Sequence, residues 1–261
     1  MLAGQRALTD RMVLPVWMIL LVAPIIGSWL GVLVRRWPQG RPVAMARSAC
    51  DHCGHQLGPL DLVPLASFAL LRGRCRYCGA PIGWFHPAIE LAALTIAVAV
   101  FCVDAGGWQS WIDASLGWAL LCAAWIDAEN FRLPDLITLP LILAGLGVTW
   151  LYQPAALYDH AAAAALGYLG FRLLDQAYLT VRRRHGLGEG DAKLLAAAGA
   201  WLGLASLPYV IMTAGLIGIG MAILSRRPGG LRREQLVAFG PALALAFFLW
   251  RLFGHYAAAP F

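Results

Sequence analysis

Residues 120–143 read LLCAAWIDAENFRLPDLITLPLIL. Two apolar runs meet here at a short link holding Asp127, Glu129, Arg132, Pro134 and Asp135. Followed outward, the runs cover about residues 108–126 and 136–152. Each reaches the roughly 17–25 residues that a helix needs to cross a bilayer. Six further apolar runs lie near 12–34, 87–104, 159–180, 192–206, 207–225 and 236–254, with Leu207-Pro208 separating the sixth span from the seventh. The pattern predicts an all-α integral membrane protein with about eight transmembrane helices. The first run is too long for the apolar region of a signal peptide, and no small-x-small site precedes the next charged block, so it reads as a span.

Composition agrees. Of the 261 residues, 60% are hydrophobic and 13% charged, against about a quarter charged in a soluble domain. The net charge of +6 would point to nucleic acid in a soluble protein. Here the basic residues cluster in short loops between the runs. Arg35, Arg36, Arg41, Arg47, Arg72, Arg74, Arg76, Arg132, Arg182, Arg183, Arg184, Lys193, Arg226, Arg227, Arg232 and Arg233 fall on one face if the eight runs alternate in direction. By the positive-inside rule that face is cytoplasmic. Arg6 and Arg11 run against this orientation. No nucleic-acid partner is expected.

The one sizeable polar segment, residues 35–86, contains Cys50-Asp51-His52-Cys53-Gly54 and Cys75-Arg76-Tyr77-Cys78-Gly79. Each C-x-x-C turn offers two thiolates, and the glycine behind it permits the positive φ of a tight turn. Thiol pairs on an arginine-rich cytoplasmic segment read as metal ligands rather than disulfides. Cys50, Cys53, Cys75 and Cys78 therefore form a four-thiolate zinc site. It is closed and so structural, in a small cytoplasmic zinc-binding domain. A redox pair, or His52 or His55 replacing one thiolate, remain alternatives. Cys102 and Cys122 sit inside apolar runs and read as buried small hydrophobes.

Ionisable groups in membrane spans are costly and usually functional. Two acidic sites stand out: Trp125 to Asp135 at the end of the third run, and Gly188-Glu189-Gly190-Asp191 at the start of the sixth. Both lie at the same face. Two nearby carboxylates share one proton, so one activates water while the other polarises a carbonyl. Asp135, just after Pro134, reads as a helix N-cap, Glu129 as a loop charge, and Glu189 as a group within reach of a substrate. Asp191 also has a capping reading, against which Gly188 and Gly190 suggest close approach of an extended substrate backbone. Lys193, the sole lysine, lies two helical positions from Asp191 and points away from it. Arg172 and Asp175, at i and i+3, predict an internal ion pair. The chain has no H-E-x-x-H, G-x-S-x-G or glycine-rich nucleotide loop. A proton or cation transporter using the acids, or a metal-sensing regulator built on the cysteines, are the competing classes. The first needs acids across the midplane, and the second leaves the acids unexplained.

Taken together, the motifs resemble those of the bacterial prepilin peptidases. The resemblance rests on Gly27-Ser28, Arg35-Arg36, both C-x-x-C pairs, Leu71-Arg72-Gly73-Arg74-Cys75, Glu90-Leu91, Ile126-Asp127, Leu133-Pro134-Asp135, the G-x-G-D of Gly188 to Asp191 with Lys193-Leu194-Leu195, and Phe239-Gly240-Pro241. It implies an inner-membrane aspartyl protease with Asp127 and Asp191 as catalytic acids. Its expected substrates are type IV prepilins or type II secretion pseudopilins, whose basic leader is cut after a glycine on the cytoplasmic side. It further implies N-methylation of the new terminus with S-adenosylmethionine, and membrane lipid as surroundings. On this reading residues 1–34 are the first span, 35–86 the zinc domain, and 87–261 a protease core of about seven helices. Gly31 and Leu62-Val63-Pro64 depart from the family pattern, and the acid loop lacks the usual histidine.

Overall fold

A computed structural model describes residues 15–43, 48–103, 107–183, 186–224 and 238–257. Arg6, Arg11, Arg47, Arg184 and the arginines at 226, 227, 232 and 233 lie outside the described residues. Nine α-helices are seen among them: α1 (Trp17–Arg36), α2 (Ala66–Leu70), α3 (Phe85–Val103), α4 (Trp108–Asn130), α5 (Asp135–Tyr152), α6 (Leu157–Arg182), α7 (Glu189–Leu202), α8 (Leu207–Leu224) and α9 (Gly240–Ala257). No strand forms among the described residues; two isolated β-bridges occur, both in the cysteine segment.

Every apolar run of the sequence is thus a helix. Four helical stretches are long and apolar enough to cross a membrane by length and composition: Trp17–Gln39, Phe85–Val103, Asp135–Tyr152 and Leu204–Leu224. Gly240–Gly254 is apolar but shorter. The other three differ for physical reasons. α4 carries Asp113, Asp127 and Glu129, and α6 carries Asp159, Arg172 and Asp175. α7 has 14 residues, about 21 Å at 1.5 Å per residue. The break between α7 and α8 falls at Gly203, whose φ of 77° ends the helix before Leu207-Pro208. A short 3-10 turn, Leu204–Ser206, follows.

The chain divides into two compact units, Met1–Trp118 and Ala119–Phe261. In the first, α1 and α3 pack along each other. The Arg35 guanidinium lies over the Phe85 ring, 4.0 Å from its centre. Buried Glu90 of α3 accepts the Leu65 N–H at 2.8 Å, which ties the cysteine segment to that helix pair. Cys122 is buried as expected, but Cys102 is exposed, on the outward face of α3.

The second unit is built around α7. Ala192 and Leu194 to Trp201 are all buried, because α5, α6, α8 and α9 pack on this helix. A run of alanines with Gly199 lets neighbouring backbones come close, as small residues do between membrane helices. Trp201 crosses to α5, where its Nε1 donates to the Leu141 carbonyl at 2.8 Å. With α7 at the centre, its first turn, carrying Asp191, is held from several sides.

Candidate active site and metal centre

Asp127 lies in the last turn of α4 and Asp191 in the first turn of α7. Both are buried, at 7% and 8% exposure, and the charge of Asp127 acts on Asp191. The two acids are therefore brought together within the second unit.

Each is held by backbone at the start of a helix. Asp127 Oδ2 accepts the Gly240 N–H at 3.1 Å, and Gly240 opens α9. The Asp191 carboxylate accepts a hydrogen bond from the backbone of Gly188, the N-cap of α7. Unpaired N–H groups and the helix dipole both favour negative charge at such a point. The capping reading of Asp191 is thus partly realised, since it reaches back to the N-cap from inside the first turn.

Close approach fixes which residues can stand here. A Cβ on Gly240 would lie 2.5 Å from Asp127 Oδ2. A Cβ on Gly190 would lie 2.5 Å from the Leu133 Cβ. The glycine of the G-x-G-D turn therefore admits the Leu133-Pro134-Asp135 loop, where the sequence suggested a substrate backbone.

The charged neighbours sort themselves as their helical positions require. Lys193 Nζ pairs with Asp135 Oδ1 at 2.7 Å and with Glu189 Oε1 at 3.0 Å, not with Asp191. Asp135 is the first residue of α5, behind the cap at Pro134. Glu189, exposed, is engaged by Lys193 rather than standing open toward a substrate. Glu129 is inside α4 and accepts from Trp125 Nε1 at 3.1 Å. Asp175 was expected to pair with Arg172. Its Oδ1 instead accepts the N–H groups of Gly186 and Leu187, and Arg172 is exposed.

In the first unit the two C-x-x-C turns repeat one geometry. Cys50 N donates to His55 O at 2.9 Å and Gly54 N to Cys50 O at 2.9 Å; Cys75 N donates to Ala80 O at 2.8 Å and Gly79 N to Cys75 O at 2.9 Å. Gly54 and Gly79 both have φ of 69°. The ladder closes at Ala49 with Gln56 and at Arg74 with Pro81. Ligand atoms of Cys50, Cys53, Cys75 and Cys78 all lie within 4.8 Å of one another. The Cys50 and Cys78 sulfurs are 3.9 Å apart, near the ~3.8 Å edge of a tetrahedron with metal–sulfur bonds of about 2.3 Å.

The ionisation of the thiols favours the same conclusion. Backbone N–H groups of Cys53 and His52 bring Cys50 down to about 6. Cys78 is drawn down by the Ala80 N–H, but desolvation and the other three thiols outweigh it and push it up to about 11. Four sulfurs this close ionise together only around a cation. The cluster fits one metal ion such as zinc. The His55 ring is elsewhere, against Tyr77 with centroids 3.6 Å apart and planes tilted by 31°.

Comparison with known proteins places the chain in a family. Residues 21–103 match the model of the bacterial peptidase A24 N-terminal domain, and residues 114–223 match that of the type IV leader peptidase family. A prepilin leader peptidase/N-methyltransferase of Aeromonas hydrophila is 39% identical over 80% of this chain and 72% of its own length. The chain belongs to the type IV leader peptidase family. Relatives of the same printed name from Dickeya chrysanthemi and Pseudomonas aeruginosa are 37% and 32% identical, over 88% and 90% of the chain. They cover 90% and 89% of their own lengths. No solved structure gives a significant match. In this leader peptidase, reading along the chain missed two contacts at the acids. The Gly240 N–H on Asp127 had a signal in Phe239-Gly240-Pro241 just before an apolar run. The Asp175 bonds to the loop had none beyond a buried acid in a span.

Proposed function

We propose that the chain cleaves the basic leader from type IV prepilins or type II secretion pseudopilins, with Asp127 and Asp191 as the catalytic dyad. The supporting observation is the pairing of these two buried carboxylates, each steadied by backbone at the start of a helix. The dyad holds one proton. The ionised carboxylate takes a proton from water as its oxygen attacks the scissile carbonyl. The protonated one donates to the carbonyl oxygen, and the tetrahedral intermediate collapses with the proton passing to the leaving amine. The Gly240 and Gly188 contacts hold the carboxylates in position through this cycle.

The same reading places the enzyme in the bacterial inner membrane. About eight helices cross the bilayer, surrounded by lipid, and the catalytic face is cytoplasmic. The organisation is that of the sequence: residues 1–34 an anchor, 35–86 a metal-stabilised module, 87–261 the protease core. Cys50, Cys53, Cys75 and Cys78 would hold a structural zinc, which would tie the two turns together. The relatives' names support a second reaction, N-methylation of the new terminal residue, with S-adenosylmethionine entering as co-substrate. The deciding experiment is purification of the enzyme into lipid with a prepilin. Leader removal and methyl incorporation by wild type support the proposal. Undiminished cleavage by Asp191→Asn would refute the dyad.

A further inference from the structure

The segment that carries Asp191 has little rigidity of its own. Gly186, Gly188 and Gly190 alternate between α6 and the first turn of α7, and glycine loses more conformational freedom on ordering than any other residue. One buried side chain outside the dyad takes hold of this segment. Asp175 of α6 is 5% exposed. Its Oδ1 accepts the Gly186 N–H at 2.9 Å and the Leu187 N–H at 3.1 Å. Tyr178, three residues on, lies against the same point, since a Cβ on Gly186 would be 2.7 Å from its Cδ1. Successive backbone N–H groups converging on one carboxylate oxygen fix the turn that presents them.

We infer that Asp175 is a positioning residue for leader cleavage: it pins the Gly186-Leu187 turn to α6, so that Asp191, a few residues further on, faces Asp127 in the geometry of attack. The inference rests on Asp127 and Asp191 being the dyad. Asp175 touches neither substrate nor the reacting atoms. Its effect is on the rate of the bound complex rather than on binding. An asparagine, whose Oδ1 can accept the same two N–H groups, should substitute for it. An alanine should not.

The test uses the full chain in lipid vesicles with a prepilin substrate. Asp175→Ala should lower kcat by about 10–100-fold with KM changed less than about twofold, the scale on which small misplacements of a catalytic group act. Metal content should be unchanged, and Asp175→Asn should recover most of the lost kcat. Gly186→Ala, which presses on Tyr178 from the other side of the same turn, should show the same fall confined to kcat. Wild-type kcat in Asp175→Ala overturns the inference. So does an Asp175→Asn as impaired as the alanine variant, or a loss that follows only the amount of folded protein. Should Asp175→Ala fail to accumulate, Gly186→Ala with wild-type kcat overturns it instead. Asp127→Asn and Asp191→Asn run beside these. Activity in either removes the dyad itself, whereas inactivity in both with a fully active Asp175→Ala removes only the role of Asp175.

Discussion

Replacing Gly240 by alanine tests the geometry of the dyad without touching an acid. The added Cβ would stand 2.5 Å from Asp127 Oδ2 and 2.9 Å from Cγ, where ordinary contact begins at 3.4 Å. The carboxylate or the start of α9 must therefore give way by about 0.9 Å, and the 3.1 Å bond from Gly240 N is lengthened or lost. A misplacement of about 1 Å at a catalytic group can cost on the order of 100-fold in rate, so kcat should fall by roughly 10–100-fold. Stability should fall as well, because forcing an added methyl into a packed site costs roughly 1–3 kcal/mol, more than the roughly 0.5–1 kcal/mol that alanine gains over glycine inside a helix. The assay is steady-state cleavage of a prepilin in lipid, with thermal unfolding followed on the same preparation. A variant that is as stable as wild type, and cleaves at the wild-type rate, would show that the Asp127–Gly240 contact does not set the active geometry.

Asp127→Asn and Asp191→Asn should each reduce cleavage below detection while the protein still inserts, because an amide cannot exchange the proton; Asp135→Asn should keep most activity, which a leader-cleavage gel separates from the other two. Serine in place of any one of Cys50, Cys53, Cys75 or Cys78 should remove about one zinc per chain, read by metal analysis of purified protein. The four thiols must be deprotonated to hold the metal, so metal retention should hold at neutral pH and decline as the pH falls, measured by dialysis across the range. Lys193→Met removes a clasp between Asp135 and Glu189, both more than half exposed; pairs of this kind contribute about 0–1 kcal/mol, so the unfolding midpoint should drop by no more than a few degrees.

What could be read along the chain follows from how far each signal reaches. Apolar runs located every long helix, because each run must lie in one helix once it enters the bilayer. They did not locate the end of α7, since a single Gly203 inside an apolar stretch looks like any other small residue until its φ of 77° is known. The two C-x-x-C-Gly turns were legible because the backbone hydrogen bonds that shape each turn are local, and two such turns close one site. Cys102 was misread as buried because an apolar span does not say which of its faces meets protein. The same reason explains Asp175. Its neighbour at i−3 is visible in the sequence, whereas the backbone eleven residues on, brought back by the end of α6, is not.

The acids combine both situations. Their residue types are written in two short motifs, one at each side of α5 and α6. What steadies them is written elsewhere. The donor to Asp127 stands 113 residues away in sequence, and the space beside Leu133 depends on Gly190 having no side chain. Each carboxylate is met by backbone where a helix begins, and helix ends are the part of a helix that periodicity defines least well. A pattern of apolar runs therefore places the two aspartates at the ends of helices but leaves their mutual geometry open. The geometry comes from the first residues of α7 and α9, which is why glycines, Gly188 and Gly240, stand against these two carboxylates.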